Sequence, residues 1–246
     1  MTALIDVGRH VGVASLAGLV SGILVGGVLG RIVMRISGFA AGPNMVGVRT
    51  SNGNRVGDIT LEGTLALVLF TGLASGVLGG VIYAVVEPWL RRARPWHGLA
   101  YGAALLLAFG FFVLDPSNFD FTRFGPAVLN VAMFAALFVI FGAMTAWLFD
   151  ALSALRARTG AAARVVDVFA WAAVVPAVIL GVLLMSSVAG LGDPVTTIMI
   201  VGPLLAAAIV RWRGLPEVFG YASLAVGVLL GAARTLSGIP PLIVGF

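Results

Sequence analysis

The sequence contains no cysteine and no lysine: all 15 of its basic residues are arginines. Without cysteine there is no disulfide, no thiolate nucleophile and no Cys-ligated metal, and cysteine usage gives no indication of the redox compartment. Without lysine no Schiff base can form with a carbonyl cofactor. These absences exclude several classes of enzyme before any motif is considered.

Charge is also scarce, and it is unevenly placed. Charged residues make up 10% of the chain and hydrophobic residues 60%, with a mean hydropathy of +1.10, whereas soluble domains have about 25% charged and roughly 45–50% apolar residues. The charges gather at the ends of long apolar runs whose middles hold no ionisable side chain. This pattern is typical of a multi-spanning membrane protein. It also removes the usual clue to function, an ionisable residue inside the bilayer.

Seven apolar segments predict membrane spans. They cover residues 11–36, 63–86, 98–114, 127–148, 165–189, 195–210 and 218–233. The last two have only about 16 residues and need their flanks to cross a hydrocarbon core of roughly 30 Å. We therefore predict a single domain over residues 1–246, an all-α membrane protein built as a bundle of about seven transmembrane helices.

The distribution of arginine predicts the orientation. Nine arginines lie on the side of the N-terminus and six on the other side; the nine are Arg9, Arg91, Arg92, Arg94, Arg156, Arg158, Arg164, Arg211 and Arg213. Because cytoplasmic loops carry the excess of basic residues, the N-terminus is predicted inside and the C-terminus outside. Arginine flanking the spans also accounts for the net charge of +5 without a nucleic-acid partner. The exclusive use of arginine and the abundance of alanine and glycine favour a bacterial cytoplasmic membrane.

Glycine recurs every four residues in the first two spans. The two series are Gly18, Gly22, Gly26, Gly30 and Gly72, Gly76, Gly80. Glycine at this spacing lets two helix backbones approach closely. It predicts that the first two spans form a tight pair, a glycine zipper; the alternatives are a face that permits sliding or contact with a second copy.

The segment 37–60 is the one sizeable polar stretch. Within it, Ser51–Asn54 contains an Asn-Gly dipeptide between two short extended runs. Asn-Gly is the strongest short-range signal for a hairpin turn. The sequence therefore predicts a β-hairpin-like extramembrane loop after the first span.

This loop and the adjoining helix ends form the main candidate site. Its members are Arg31, Arg35, Arg49, Arg55, Asp58 and Glu62. The first two arginines are four residues apart and so share one helix face, from which they could bind a phosphate or carboxylate. The site predicts binding of an anionic lipid headgroup, another anionic ligand or a partner protein. The alternative is that the arginines snorkel to the interface and pair with the two acidic residues.

Two prolines interrupt later spans. Pro176 lies midway in the fifth span and Pro203 midway in the sixth. A mid-span proline frees a backbone carbonyl and kinks the helix, a feature that transporters use where a broken helix lines a cavity. A transporter of a small solute or a lipid is therefore the alternative function.

Enzymatic motifs are incomplete. The stretch 190–193 resembles the Gly-x-Gly-Asp motif of intramembrane aspartyl proteases, which need a second aspartate close by. Asp150 and Asp167 belong to the opposite membrane face, Asp115 and Asp120 lie outside any span, and the proline at 194 makes Asp193 a helix cap. His10 and His97 begin spans on the same side, where haem ligation and contact with headgroups are the alternatives. We predict no catalytic residue, metal or cofactor. The expected function is non-enzymatic binding of lipid or a partner, which includes a second copy of the chain.

Overall fold

The structure is a computed structural model and describes residues 2–49, 61–114, 120–158, 160–190 and 194–244. These residues are almost entirely helical. The α-helices are α1 (Thr2–Ser21), α2 (Gly30–Ala40), α3 (Leu61–Ala66), α4 (Ser75–Leu90), α5 (His97–Phe109), α6 (Asp120–Arg123), α7 (Ala127–Arg156), α8 (Ala161–Gly190), α9 (Pro194–Arg213) and α10 (Glu217–Val244). The π-helical segments Gly22–Leu29 and Leu67–Ala74 join α1 to α2 and α3 to α4.

Five helical stretches among the described residues are long and apolar enough to cross a membrane. They are Ile5–Ala40, Gly63–Ala93, Ala127–Arg156, Ala161–Leu180 and Glu217–Ile243, and a shorter apolar stretch covers His97–Phe112. Large apolar side chains face outward, as a lipid-exposed surface requires: Val168 is 66% exposed and Leu229 is 68% exposed. The protein is thus an all-α membrane protein. The helix α9 occupies the position of the sixth predicted span.

The core of the bundle is built from small side chains. Ala14, Ser15, Ala17 and Ala84 are completely buried. They lie where α1 packs against α4, α7 and α8. Because lipid tails are as apolar as leucine, helices in a membrane associate through close packing rather than through a hydrophobic driving force, and small residues permit it.

The first two spans approach each other at backbone distance. A Cβ atom placed on Gly18 would lie 2.3 Å from the carbonyl oxygen of Gly76, and one placed on Gly22 would lie 2.1 Å from that of Gly72. A Cβ on Gly80 would similarly lie 2.3 Å from the carbonyl oxygen of Ala14. No side chain larger than hydrogen fits at these positions without moving a helix.

The two π-helical segments pack against each other and change the register of this contact. In a π-helix the backbone hydrogen bonds join residues that are five apart rather than four. From Gly22 the contact accordingly passes to Gly27, which is buried and whose Cβ would lie 2.9 Å from Cγ2 of Val68. Gly26 is only half-buried, and a Cβ on Gly30 would meet no atom nearer than 3.7 Å. The close contact therefore does not follow the four-residue series to its end.

Several predicted local features differ from the structure or lie outside its described residues. The hairpin turn at 51–54 is outside them; the chain before it contains the short 3₁₀ helix Pro43–Met45. Pro176 and Pro203 lie inside α8 and α9, and the kinks expected at these prolines stay predictions. The last helix extends to Val244, beyond the predicted end at residue 233, and includes Pro240 and Pro241.

The bundle has two ends. The N-terminal face contains the start of α1, the turn 91–96 and the turns that precede α8 and α10. The C-terminal face contains the loop after α2, the end of α5 and the end of α10. At the C-terminal face the buried Ser37 hydroxyl donates to Oδ1 of Asn130 at 2.6 Å, and Nδ2 of Asn130 donates to the carbonyl of Phe124 at 2.8 Å. The first bond joins α2 to α7, and the second joins α7 to the residue after α6.

Candidate functional site

A long apolar groove lies between α4, α5, α9 and α10. Its volume is about 350 Å³. Its walls include Val86 and Trp89 from α4, Leu105 from α5, Pro203 from α9 and Leu224 from α10. Apart from tyrosines and Arg234, every described side chain that lines it is apolar.

The groove runs along most of the membrane-crossing part of α10. Lining residues on α10 extend from Tyr221 to Arg234, a separation of 13 residues and therefore ~20 Å of helix. The groove is therefore long, with a volume of about 350 Å³.

At the N-terminal face the groove ends at an aromatic and ionic cluster. The Trp89 ring packs directly on Gly220, where a Cβ would lie 2.2 Å from Cζ2 of the indole. The Tyr221 hydroxyl accepts from Nη1 of Arg92 at 2.7 Å, and Nη2 of the same arginine donates to Glu217 at 2.5 Å. The polar groups at this end are therefore already paired with one another.

At the C-terminal face Thr235 fixes α10 to the end of α5. Its hydroxyl donates to the carbonyl of Leu107 at 3.1 Å and accepts from the backbone N–H of Phe111 at 3.0 Å. The side chain is 1% exposed. The neighbouring Arg234 borders the groove and places its guanidinium carbon 5.6 Å from the centre of the Phe111 ring.

The groove offers no chemistry for catalysis among its described residues. The buried Tyr101 hydroxyl donates to the carbonyl of Gly79, which occupies its proton. No group of three or more His, Asp or Glu side chains in the described part of the chain could hold a metal ion. The arrangement can enclose an apolar chain, and it has no acid, base or nucleophile aimed into it.

A polar site separate from the groove lies at the N-terminal face, around the buried side chain of Glu87. This carboxylate is 3% exposed; Nε of Arg91 donates to Oε1, and Nη1 of Arg211 and Nε2 of His10 each lie 4.0 Å from Oε2. Three helices, α1, α4 and α9, thus meet at one carboxylate. A buried carboxylate requires such partners because its desolvation costs several kcal/mol.

His10 holds two competing contacts in this cluster. Its Nε2 lies 3.1 Å from Nη2 of Arg211 and 3.3 Å from the carbonyl oxygen of Ala84. A guanidinium only donates and a carbonyl only accepts. One ring nitrogen cannot serve both at once, so the two hydrogen bonds exclude each other. The ring itself packs edge-on against Phe149, with centroids 5.2 Å apart.

The two histidines belong to different clusters. Nε2 of His97 lies 3.4 Å from Oδ2 of Asp150. Both carboxylate oxygens of Asp150 also accept from Nη2 of Arg94, each at 3.0 Å. Each histidine thus faces an acidic residue and arginines of its own cluster. These contacts do not favour shared haem ligation.

The predicted arginine site is described only in part. Arg31 is half-buried and Arg49 is exposed, while the exposed Arg35 places its guanidinium 5.3 Å over the Phe39 ring. Arg55 and Asp58 lie outside the described residues, and the Glu62 side chain is not described either. The structure therefore does not show these six residues together.

The sequence contains one signal that points to the buried cluster. Glu87 is the only acidic residue between Glu62 and Asp115, and Arg91 follows it by one helical turn. Because Glu87 lies one residue past the predicted span 63–86, hydropathy alone assigns it to the solvated flank of that span. The groove has no comparable signal, because its lining residues are ordinary span residues drawn from four helices.

Compared with known protein families, with curated proteins and with solved structures, the chain matches none. What it does has to be inferred from its own residues.

Proposed function

We propose that this protein binds one long apolar chain of a lipid-like molecule in the groove between α4, α5, α9 and α10. The observation that carries the proposal is the shape and chemistry of the groove: it is ~20 Å long, and its described lining is apolar over nearly its whole length. A polar solute would lose its hydration there without gaining hydrogen bonds.

The proposed setting is a seven-span protein in a bacterial cytoplasmic membrane, with the N-terminus inside. Its support is the five long apolar stretches together with α5 and α9, and the excess of arginine on the N-terminal side. In this setting the groove opens within the hydrocarbon region. A lipid chain can then enter from the bilayer without crossing water.

Transport of the bound molecule is the second candidate. Pro203 lines the groove at the middle of α9 and contacts α10, where a Cβ on Gly227 would lie 2.9 Å from Cβ of the proline. Proline removes one intrahelical hydrogen bond and so lowers the cost of bending the helix at this point. A change of bend at Pro203 would alter the width of the groove.

The test fills the groove with a side chain and uses its neighbour as a control. Ala104 lines the groove, whereas Ala103, one residue away on α5, is exposed on the outside of the bundle. Ala104→Phe should abolish the lipid adduct that native mass spectrometry detects after gentle extraction. Ala103→Phe should retain it at the wild-type level. An unchanged adduct in Ala104→Phe protein that is folded would contradict the proposal.

A further inference from the structure

Three neighbouring helices each bury a hydroxyl that has no hydrogen-bond partner among the described residues. They are Ser15 on α1, Tyr83 on α4 and Thr145 on α7, and each of the three residues is 0% exposed. We call them the hydroxyl cluster. A hydroxyl that leaves water without gaining a hydrogen bond destabilises the fold, and buried polar groups in proteins are nearly always paired. Three such hydroxyls in one bundle therefore indicate a bound partner.

The hydroxyls of α1 and α7 lie at a similar depth in the bundle. His10 on α1 packs edge-on against Phe149 on α7, and from this contact α1 runs away from the N-terminal face while α7 runs toward it. Ser15 comes five residues after His10, which places it about 7.5 Å deeper than the ring contact. Thr145 comes four residues before Phe149 and is therefore about 6 Å deeper.

Tyr83 brings the third hydroxyl to this depth from α4. Its ring packs edge-on against Phe149, with centroids 5.3 Å apart. Side chains of a helix point back toward the N-terminus of that helix, which in α4 is the direction of Gly80, one turn earlier. At Gly80 the two helices touch, because a Cβ there would lie 2.7 Å from Cα of Ser15. The phenol therefore extends from Phe149 toward the level of Ser15.

Other buried hydroxyls show how this fold pairs such groups when it can. Ser21, also completely buried on α1, donates to the carbonyl of Ala17 at 2.8 Å. The Tyr101 hydroxyl donates to the carbonyl of Gly79. Within the described part of the chain, the hydroxyl cluster makes no bond of this kind. Its three oxygens are available to a molecule held between the helices.

The surroundings of the cluster select a small neutral molecule. The backbone contact between α1 and α4 at Gly80 limits the size of what fits beside it. An ion held by neutral hydroxyls alone would not recover the cost of leaving water. A buried water molecule makes about three hydrogen bonds, and it both donates and accepts, so it can satisfy three hydroxyls whichever way each is turned.

We propose that Ser15, Tyr83 and Thr145 form the binding site of one water molecule that joins α1, α4 and α7 inside the membrane. The glycine contacts hold α1 and α4 together by shape. The water adds directional hydrogen bonds and includes α7 in the same junction. This site is separate from the groove and does not depend on the proposed function.

The sign of a stability change distinguishes a bound water from a dry site. Thr145→Val keeps the shape of the side chain and removes the hydroxyl. If a water bridges the cluster, losing one of its partners should raise the equilibrium constant for unfolding by about 5- to 30-fold, measured by reversible unfolding of the full-length protein in mixed micelles. If the site is dry, the substitution removes an unsatisfied hydroxyl and should lower that constant. A lower constant would overturn the proposal.

A double-mutant cycle tests whether two of the hydroxyls share the water. Ser15→Ala combined with Thr145→Val should change the unfolding constant by much less than the product of the two single effects, because either substitution alone already weakens the bound water. The matched control is Ser21→Ala, whose buried hydroxyl lies about 9 Å further along α1 and is paired within its own helix. Its effect should multiply with that of Thr145→Val to within about twofold. Equal behaviour of the two cycles would contradict a shared water.

A high-resolution map of the wild-type protein gives a reading that does not require any variant to fold. We expect a density peak within about 3 Å of the three hydroxyl oxygens. Ordered side chains with no peak between them would overturn the proposal. An unfolding constant that falls with rising sodium or chloride concentration in wild type, but not in Thr145→Val, would identify an ion and would likewise overturn it.

Discussion

Replacing Gly22 with alanine places a methyl group between two backbones. The new Cβ would lie 2.1 Å from the carbonyl oxygen of Gly72 and 2.5 Å from Cα of Gly76. Neither atom can rotate away, so the helices must separate by about 1 Å to restore a normal contact, and a gap of that size forfeits a quarter to a half of each remaining dispersion contact. With an overpacking cost of about 1–3 kcal/mol per site, we expect the free energy of unfolding to fall by about 3 kcal/mol.

The control is alanine at Gly30, which belongs to the same four-residue series. Its Cβ would meet nothing nearer than 3.7 Å, and its backbone is ordinary right-handed helix, with φ −57° and ψ −39°. Removing a glycine from such a position stabilises by about 0.5–1 kcal/mol. Reversible unfolding in mixed micelles, followed by circular dichroism, should therefore separate the two variants by about 3–4 kcal/mol. Equal stabilities would refute the backbone contact between the two spans.

Two further predictions concern the charged residues. Glu87→Gln should lower the free energy of unfolding by about 1–2 kcal/mol; the value is below that of a fully buried charged hydrogen bond because the partner Arg91 is 56% exposed. Glu217→Gln, in an exposed ion pair, should change the free energy of unfolding by less than about 0.5 kcal/mol. Similar effects of the two substitutions would contradict the burial of Glu87. If Arg31 and Arg35 hold an anionic headgroup, Arg31→Ala combined with Arg35→Ala should remove co-purified anionic lipid from the Ala104→Phe protein, whose groove is filled; unchanged lipid content would exclude that site.

The membrane-protein class could be predicted from the sequence because it depends on composition and run length. The boundaries were harder to predict. The first span was expected to end at residue 36, whereas α2 continues to Ala40, and the second was expected to end at residue 86, whereas α4 continues to Leu90. Hydropathy detects where a helix leaves the hydrocarbon region, and the hydrogen bonds of a helix continue into the interface.

The glycine series shows where a spacing rule loses its validity. Four-residue spacing assumes an α-helix throughout and so predicts Gly26 and Gly30 on the face of Gly22. The π-helical stretch from Gly22 to Leu29, whose hydrogen bonds join residues five apart, places Gly27 against Val68 instead. Its glycine, valine and leucine residues are equally compatible with an α-helix, so the local sequence does not indicate the π-helix.

The groove and the Glu87 cluster share two helices, α4 and α9. On α4, Glu87 faces His10 and Arg211, while the adjacent Val86 lines the groove. On α9, Arg211 reaches that cluster two turns beyond Pro203, which lines the opposite wall. At the N-terminal face the two walls are therefore bridged by the ion pair of Glu87 and Arg211, at 4.0 Å. We expect a substitution that removes this carboxylate to change the groove through the position of α9, even though Glu87 does not line it.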